Sequence, residues 1–304
     1  MVSARARMLP VTMSTSSSYL GVPMMERVCV TPTRLQRRLI TSHRWLDLPR
    51  DHGVVDLPDP DALVEEQITY YRARAPEYDD WWLRTGRYRC DDDFGRRWDT
   101  GKRELEHAIR DFHPAGDVLE LAAGTGNLTR ELCHAADRVT AVDASDEALS
   151  VARTKLEHAS NVTLVHADVF GWRPPRRFDV VAFGFWLSHV PPGRFGHFWR
   201  LVDDALTPTG RVLFIDNAVP VEAAASLHDR QPTTGGNRTP WSRTWLDQGV
   251  SVRTLSDGRR FHIVKRAWTP EELRDELGAL GWTASVREVQ RLFLYGSAQR
   301  MTSS

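Results

Sequence analysis

The sequence predicts an α/β fold, a doubly wound seven-stranded sheet, mostly parallel with an antiparallel last strand and helices on both faces. Three observations lead there. From Asp117 onward, short β-branched runs alternate with segments of helical period. The runs are apolar almost throughout, as strands covered on both faces must be. Two closing runs, Ala284–Val289 and Leu292–Gly296, lie close enough in sequence to pair antiparallel.

Each element has its own signal. "DVLEL" (Asp117–Leu121) is the first strand, and Leu128, Leu132 and Ala136 then recur every four residues, predicting a helix. "RVTAVDA" is the second strand. Its helix is capped by Ser145, with Asp146 and Glu147 in the favourable first turn and Leu149, Ala152 and Leu156 facing inward. "NVTLVHA" and "FDVVAFGF" make the third and fourth strands. A helix over about Arg194–Leu206 leads through "TPTG" to a fifth, "RVLFIDN". The rhythm then breaks for about fifty residues, within which "SVRTLSDGRRFHIVKRAW" reads as a hairpin turning at Asp257-Gly258. In "TPEELRDELGALGW", Thr269 is the cap, Pro270 the first helical residue, Glu272 the partner in a capping box and Gly281 the stop.

Upstream of this core the reading changes character. Residues 1–46 hold seven arginines against one acid, so a tail of net +6 is balanced by a remainder of net −6. The tail is rich in Ser and Thr and lacks periodicity. An organellar address has such a composition, and so does translated sequence that belongs to no domain. "DLPRDHGVVDLPDPDA" is a linker, so 1–60 is expected to be tail and linker. Residues 61–112 are expected to form a helical lid, interrupted at Pro76 and carrying Tyr70, Tyr71, Tyr78, Trp81 and Trp82. Residues 113–304 are the expected catalytic domain, with 218–268 as an insert.

Totals exclude several classes. The 304-residue chain is 41% hydrophobic and 26% charged, the profile of a globular protein. A formal net charge of zero gives no support to a broad nucleic-acid or membrane-binding surface. The longest apolar run, around "VVAFGFWL", is far short of a membrane span. Cys29, Cys90 and Cys133 have neither disulfide-framework nor zinc spacing, so no metal is expected and a cytoplasmic location is the simplest fit.

The chemistry centres on "VLELAAGTGNLTREL" (Val118–Leu132). In a doubly wound sheet, ligands lie beyond the carboxyl ends of the strands, and Ala122–Gly126 is the first such end. Gly124 and Gly126 permit close approach of a ligand; tight strand–helix packing would also require small residues. Asp143 ends the second strand, seventeen residues after Gly126, and could accept both ribose hydroxyls of a nucleoside. Asp168 ends the third, where an adenine amino group could be held. A lone acid at a strand end is commonly a turn residue; two on successive strands after a glycine loop are harder to dismiss. Dinucleotide binding is the rival. Its third glycine, however, is Thr129 here, and Glu120 would repel a pyrophosphate while suiting an ammonium and a sulfonium.

"VLELAAGTG…VTAVDAS…VHADVF…FDVVAFGFWLSHV…LTPTGRVLFIDN" resembles the motif series of class I S-adenosylmethionine-dependent methyltransferases, over about Leu63–Gln299, in the style of the ubiquinone/menaquinone biosynthesis group. Ala122 stands where that family usually has its first glycine. The resemblance implies a Rossmann-like fold and S-adenosylmethionine as cofactor. Glu120, Ala122, Gly124 and Gly126 would line its methionine part, Asp143 with Ala144 its ribose, and Asp168 with Val169 its adenine. A lead-in similar to "YYRARAPEYD" covers the cofactor in family members, which adds Tyr71 and Arg74.

Methyl transfer is an in-line displacement, so holding the reactants collinear and dry supplies most of the rate, and a base is needed only if the acceptor must lose a proton. "GFWLSHVPP" should face the acceptor. His189 could take that proton; a histidine bonded beneath the cofactor loop is the blander reading. Phe185 and Trp186 could shape an apolar pocket, or be core. No N/D-P-P-Y motif is present. Within the insert, Arg238 and Arg243 could orient an acidic substrate, with Trp241 and Trp245 nearby. The expectation is methyl transfer to an O or N atom of a small-molecule acceptor, with no nucleic acid or membrane partner. The alternatives are an RNA or protein methyltransferase and, further off, an NAD(P)-binding oxidoreductase.

Overall fold

The computed structural model describes residues 60–90, 92–218 and 249–301. The basic tail, most of the linker and the insert residues Arg238, Trp241, Arg243 and Trp245 lie outside them. The described residues contain nine strands: β1 (Asp117–Leu121), β2 (Arg138–Asp143), β3 (Val162–His166), β4 (Phe178–Gly184), β5 (Leu206–Asn217), β6 (Val250–Thr254), β7 (Arg260–Val264), β8 (Trp282–Val289) and β9 (Phe293–Arg300). Seven form one sheet in the order β3-β2-β1-β4-β5-β9-β8. β1 pairs in parallel with β2 on one side and β4 on the other, so the winding reverses between β1 and β4. β9 alone runs antiparallel to its neighbours, β5 and β8. This is the predicted sheet, with the final strands extended to Trp282–Val289 and Phe293–Arg300.

Among the described residues, six α-helices flank the sheets: α1 (Pro60–Leu83), α2 (Asp93–Phe112), α3 (Asn127–Leu132), α4 (Asp146–Lys155), α5 (Phe195–Ala205) and α6 (Pro270–Ala279). Two apolar clusters sandwich the main sheet, one with Phe183, Phe198, Trp199, Phe214 and Trp268, the other with Trp98, Leu105, Val118, Leu132 and Phe293. α2 holds its amphipathic register by burying Trp98, Leu105 and Ile109. Its start is fixed by Asp92, whose carboxylate accepts from the Phe94 and Gly95 amides. The Ser145 cap and the Thr269–Glu272 capping box form as the sequence predicts. β6 and β7 pair as the expected hairpin in a separate two-stranded sheet.

Two expectations are corrected. α1 is not interrupted at Pro76 but runs through it as one 24-residue helix. The Arg72 carbonyl loses its intrahelical partner to the proline, and both residues are exposed, so water can satisfy it. Packing of α1 on β7 and α4 holds the continuous form. The helix foreseen over Leu128–Ala136 ends at Leu132. There the Asn161 amide donates to the carbonyls of Cys133 (2.9 Å) and Ala136 (3.0 Å), fixing a turn instead of another helical turn.

Candidate functional site

A crevice of about 830 Å³, open solvent at its mouth included, runs along the carboxyl ends of β1–β4 beneath α1. It lies at the reversal of winding, where such folds place ligands. Ala122, Gly124 and Thr125 line it from the β1 loop, Asp143 and Ala144 from β2, Asp168 and Val169 from β3, and Phe185 and His189 from beyond β4. α1 closes it with Tyr71, Ala75 and Tyr78.

The β1 loop takes its shape from backbone geometry. Gly124 (φ 55°) and Gly126 (φ 79°) are left-handed, and so is Ala122 (φ 55°), at a cost of about 1–2 kcal/mol for a residue with a Cβ. A Cβ added at Gly124 meets nothing within 4 Å, so this glycine borders the crevice; at Gly126 it would come within 3.1 Å of Ala152 and Leu156. Gly126 therefore serves the packing of α3 on α4 and does not line the crevice. Asp143 clamps the loop: one oxygen accepts from the Gly124 amide (2.8 Å) and the other from Ser145 (2.8 Å). Burial raises its pKa despite those bonds. Each oxygen keeps a lone pair for a ligand hydroxyl. Asp168 is exposed at the mouth, its carboxylate bonded to the Phe170 amide at 3.1 Å, while Val169 is a buried apolar wall.

Glu120 lies under the loop, only 1% exposed, and accepts from the Thr129 hydroxyl at 2.6 Å. It borders a second depression that shares Ala122, Gly124, Gly184 and Phe185 with the crevice. Burial pushes its pKa up to about 8, with the Asp143 charge adding to the rise. A cation seated there would restore the charged form. The apolar slot, the ribose-height carboxylate of Asp143 and a buried acid facing a cationic tail fit S-adenosylmethionine, and none of them suits a pyrophosphate.

His189 is buried, with both ring nitrogens engaged. Nδ1 lies 2.7 Å from the Val264 carbonyl and Nε2 lies 2.8 Å from the Tyr71 hydroxyl. A carbonyl only accepts, so Nδ1 carries the proton, and in the neutral ring Nε2 accepts from Tyr71. Burial, reinforced by the Lys265 charge, holds the His189 pKa well below its ordinary value, so the ring is neutral. Arg74 does not line the crevice. It lines an adjoining cavity of about 680 Å³, open solvent at its mouth included, that shares Tyr71, Tyr78, Phe185 and His189 with it. Of the two aromatics, Phe185 borders both spaces, and Trp186 lines the crevice against Phe170.

Some of the site's parts are not readable in the sequence. Asp79 on α1 accepts from Thr125 (2.7 Å) and Asn127 (3.0 Å) and pairs with Lys155 (2.8 Å), latching the helix over the loop. Gln67 donates to the His189 carbonyl (3.2 Å) and accepts from the Val264 amide (3.0 Å). Phe185, bulky and left-handed (φ 55°), is strained backbone of the kind that gathers at functional sites. Arg253 and Lys265 enter the adjoining cavity from the hairpin side. Phe185 was named from the sequence as a pocket aromatic, though not its backbone conformation, and Gln67 had a signal in its helical spacing from Leu63 and Tyr70, both buried; Asp79, Arg253 and Lys265 had none.

Known proteins resemble this chain in sequence and fold. Residues 118–210 match the family described as methyltransferase domain. A ubiquinone/menaquinone biosynthesis C-methyltransferase UbiE from Shewanella frigidimarina is 33% identical over 114 residues, 35% of this chain and 45% of that protein. A demethylmenaquinone methyltransferase from Staphylococcus haemolyticus is 28% identical over 121 residues, 38% and 50%. The chain spans about half the length of the curated relatives it matches. Among solved structures, the DhpI–SAH complex is 36% identical with a TM-score of 0.63, covering 81% of this chain and 100% of that one. The DhpI–SAM–HEP complex is 38% identical with a TM-score of 0.60, covering 78% and 97%. This chain belongs to the class I S-adenosylmethionine-dependent methyltransferases.

Proposed function

We propose that this protein transfers the methyl group of S-adenosylmethionine to an oxygen or nitrogen atom of a small-molecule acceptor. The observation that carries the reading is the pair of adjoining spaces. The crevice suits the cofactor, and a second space opens beyond Tyr71 and Phe185, lined by α1 and by the β6–β7 hairpin side, so that two ligands could meet at the junction. α1 roofs both.

When bound, the cofactor supplies a methyl carbon activated by positive sulfur. This chain's residues do the rest. Asp143 and the left-handed loop fix the nucleoside end, and Glu120 provides negative charge beside the amino-acid end. Tyr71 and Phe185 stand at the junction, where they can hold an acceptor in line and exclude water. Incubating purified protein with methyl-labelled S-adenosylmethionine and small acids, alcohols and amines tests the reading. Label recovered in a low-mass product supports it, and label recovered only in RNA or protein from added extract would replace it.

A further inference from the structure

The cavity beside the crevice has an uneven charge. Arg74 enters it from α1, Arg253 from β6 and Lys265 from just after β7. Arg74 lies over the rings of Tyr78 (5.2 Å) and Tyr70 (5.7 Å), and its Nε is buried with no hydrogen-bond partner. Neither Arg74 nor Arg253 has a carboxylate within ion-pair distance among the described residues. Lys265, 5% exposed, donates to the Ser188 hydroxyl (2.6 Å) and lies 3.9 Å from Asp216. That single carboxylate is sealed at 0% exposure, holding the amides of Ser188 and Asn217. Three cations thus face one acid in a sheltered space, an arrangement that is costly unless an anion joins them.

The same cavity offers no free base. The bare nitrogen of His189 accepts from Tyr71, and its other nitrogen donates to Val264. Asp216 is sealed from the cavity. Burial raises the pKa of Tyr78 well above 10, so its phenol stays protonated. A neutral hydroxyl or an ammonium would have to shed a proton with no side chain placed to take it, whereas an oxyanion arrives already deprotonated.

Resting on the proposed function, we infer that the acceptor is a small acid whose carboxylate or phosphoryl oxygens are bound by Arg74, Arg253 and Lys265, and that one of those oxygens is itself methylated. The oxygen's lone pair forms the new C–O bond as the C–S bond breaks. That bond's electron pair stays on sulfur, giving S-adenosylhomocysteine and a methyl ester, and no proton moves. Two lone arginine forks beside a lysine are the chemistry expected for oxyanion recognition.

The test separates binding from turnover. Protein saturated with S-adenosylhomocysteine is titrated by calorimetry with inorganic phosphate, acetate and benzoate, with benzyl alcohol and benzylamine as uncharged-oxygen and cationic controls. Phosphate or a carboxylate should bind, Arg253→Gln should weaken that binding at least tenfold, and Arg253→Lys should restore part of it. Affinity for S-adenosylhomocysteine should change less than twofold in both variants, because Arg253 does not line the crevice. Methyl label released as methanol by mild base identifies a carboxyl ester; base-stable label that alkaline phosphatase releases as methanol identifies a phosphate ester, and label stable to both overturns the inference. Failure of all three anions to bind, or methylation of the alcohol or amine equally by wild type and Arg253→Gln, overturns the inference and leaves the proposed function standing. Failure of S-adenosylhomocysteine itself to bind overturns both.

Discussion

The Tyr71 hydroxyl lies 2.8 Å from Nε2 of His189, joining the roofing helix to the turn after β4 across 118 residues of sequence. The bond sits at the junction of the cofactor crevice and the cationic cavity. Tyr71→Phe removes the donor and leaves a buried ring nitrogen unpaired, at a cost of about 1–3 kcal/mol. Thermal unfolding should shift down accordingly, and turnover should fall more than cofactor affinity does. A variant with unchanged melting temperature and full turnover would remove any role for this bond.

Asp143 is the next pivot. Because its two oxygens fix the Gly124 and Ser145 amides, Asp143→Ala loosens the loop and also deletes the proposed ribose acceptor. Titration with S-adenosylmethionine should show a loss of at least tenfold. Asp143→Asn retains one acceptor oxygen and should fall between that variant and wild type. Undiminished binding by Asp143→Ala would detach Asp143 from the cofactor.

Glu120 should make cofactor binding depend on pH. Its folded-state pKa is raised to about 8 from an ordinary value near 4.5, chiefly by burial. A raised carboxylate means that the folded protein holds a proton the unfolded chain has lost between about pH 4.5 and 8, so this group's contribution to stability declines as pH rises through that window. A cation beside it favours the ionised form, so cofactor binding should release a proton. Affinity for S-adenosylmethionine should climb with pH up to about 8 and then level, and in Glu120→Gln the slope should vanish. Calorimetry in two buffers of different ionisation heat measures the released proton directly.

Much of the fold was legible because its signals are local. Apolar runs mark buried parallel strands wherever they occur, and Ser145 and the Thr269–Glu272 box form caps within three residues of themselves. The crevice was legible in the same way, since Gly124, Asp143 and Asp168 sit at ends of strands that any doubly wound sheet aligns. The cationic cavity was not. Arg74, Arg253 and Lys265 lie on separate elements, and each alone resembles the solvated charge that most arginines and lysines are. Only the packing of the hairpin on α1, with Tyr70 against Phe261 at 5.7 Å, brings them together. Pro76 misleads for the converse reason: a local breaker is overridden by tertiary contacts along the rest of α1.

Lys265 should set a second pH limit, on the proposed acceptor side. Burial, with the charges of Arg253 and Arg74 opposing Asp216, lowers its pKa to about 8. Below that value the ammonium is charged and the cavity attracts anions; above it one of three cations is lost. Binding of an anionic probe to the protein loaded with S-adenosylhomocysteine should therefore weaken above about pH 8. Lys265→Met should abolish that step, at the expense of leaving Asp216 without its cation.

The latch on α1 should control access. Asp79 gathers Thr125, Asn127 and Lys155, tying the roof to the cofactor loop and to α4. Burial alone would raise its pKa, but the bonds from Lys155, Thr125 and Asn127 outweigh it and leave the carboxyl below its ordinary value. A depressed carboxylate stabilises the closed roof above its unfolded-state pKa and loses that contribution as pH falls through the folded one. Lys155→Met keeps the stem's packing and removes the charge, so the roof should open more often while the crevice stays intact. Stopped-flow measurement should show faster dissociation of S-adenosylhomocysteine, by about three- to tenfold for a loss of roughly 1 kcal/mol. Asp79→Asn keeps some of the loop's hydrogen bonds but none of the ion pair, and should match Lys155→Met. Dissociation rates equal to wild type in both variants would mean that the roof is held by its aromatic contacts, Trp81 and Trp82 against Phe185, and not by this charged latch.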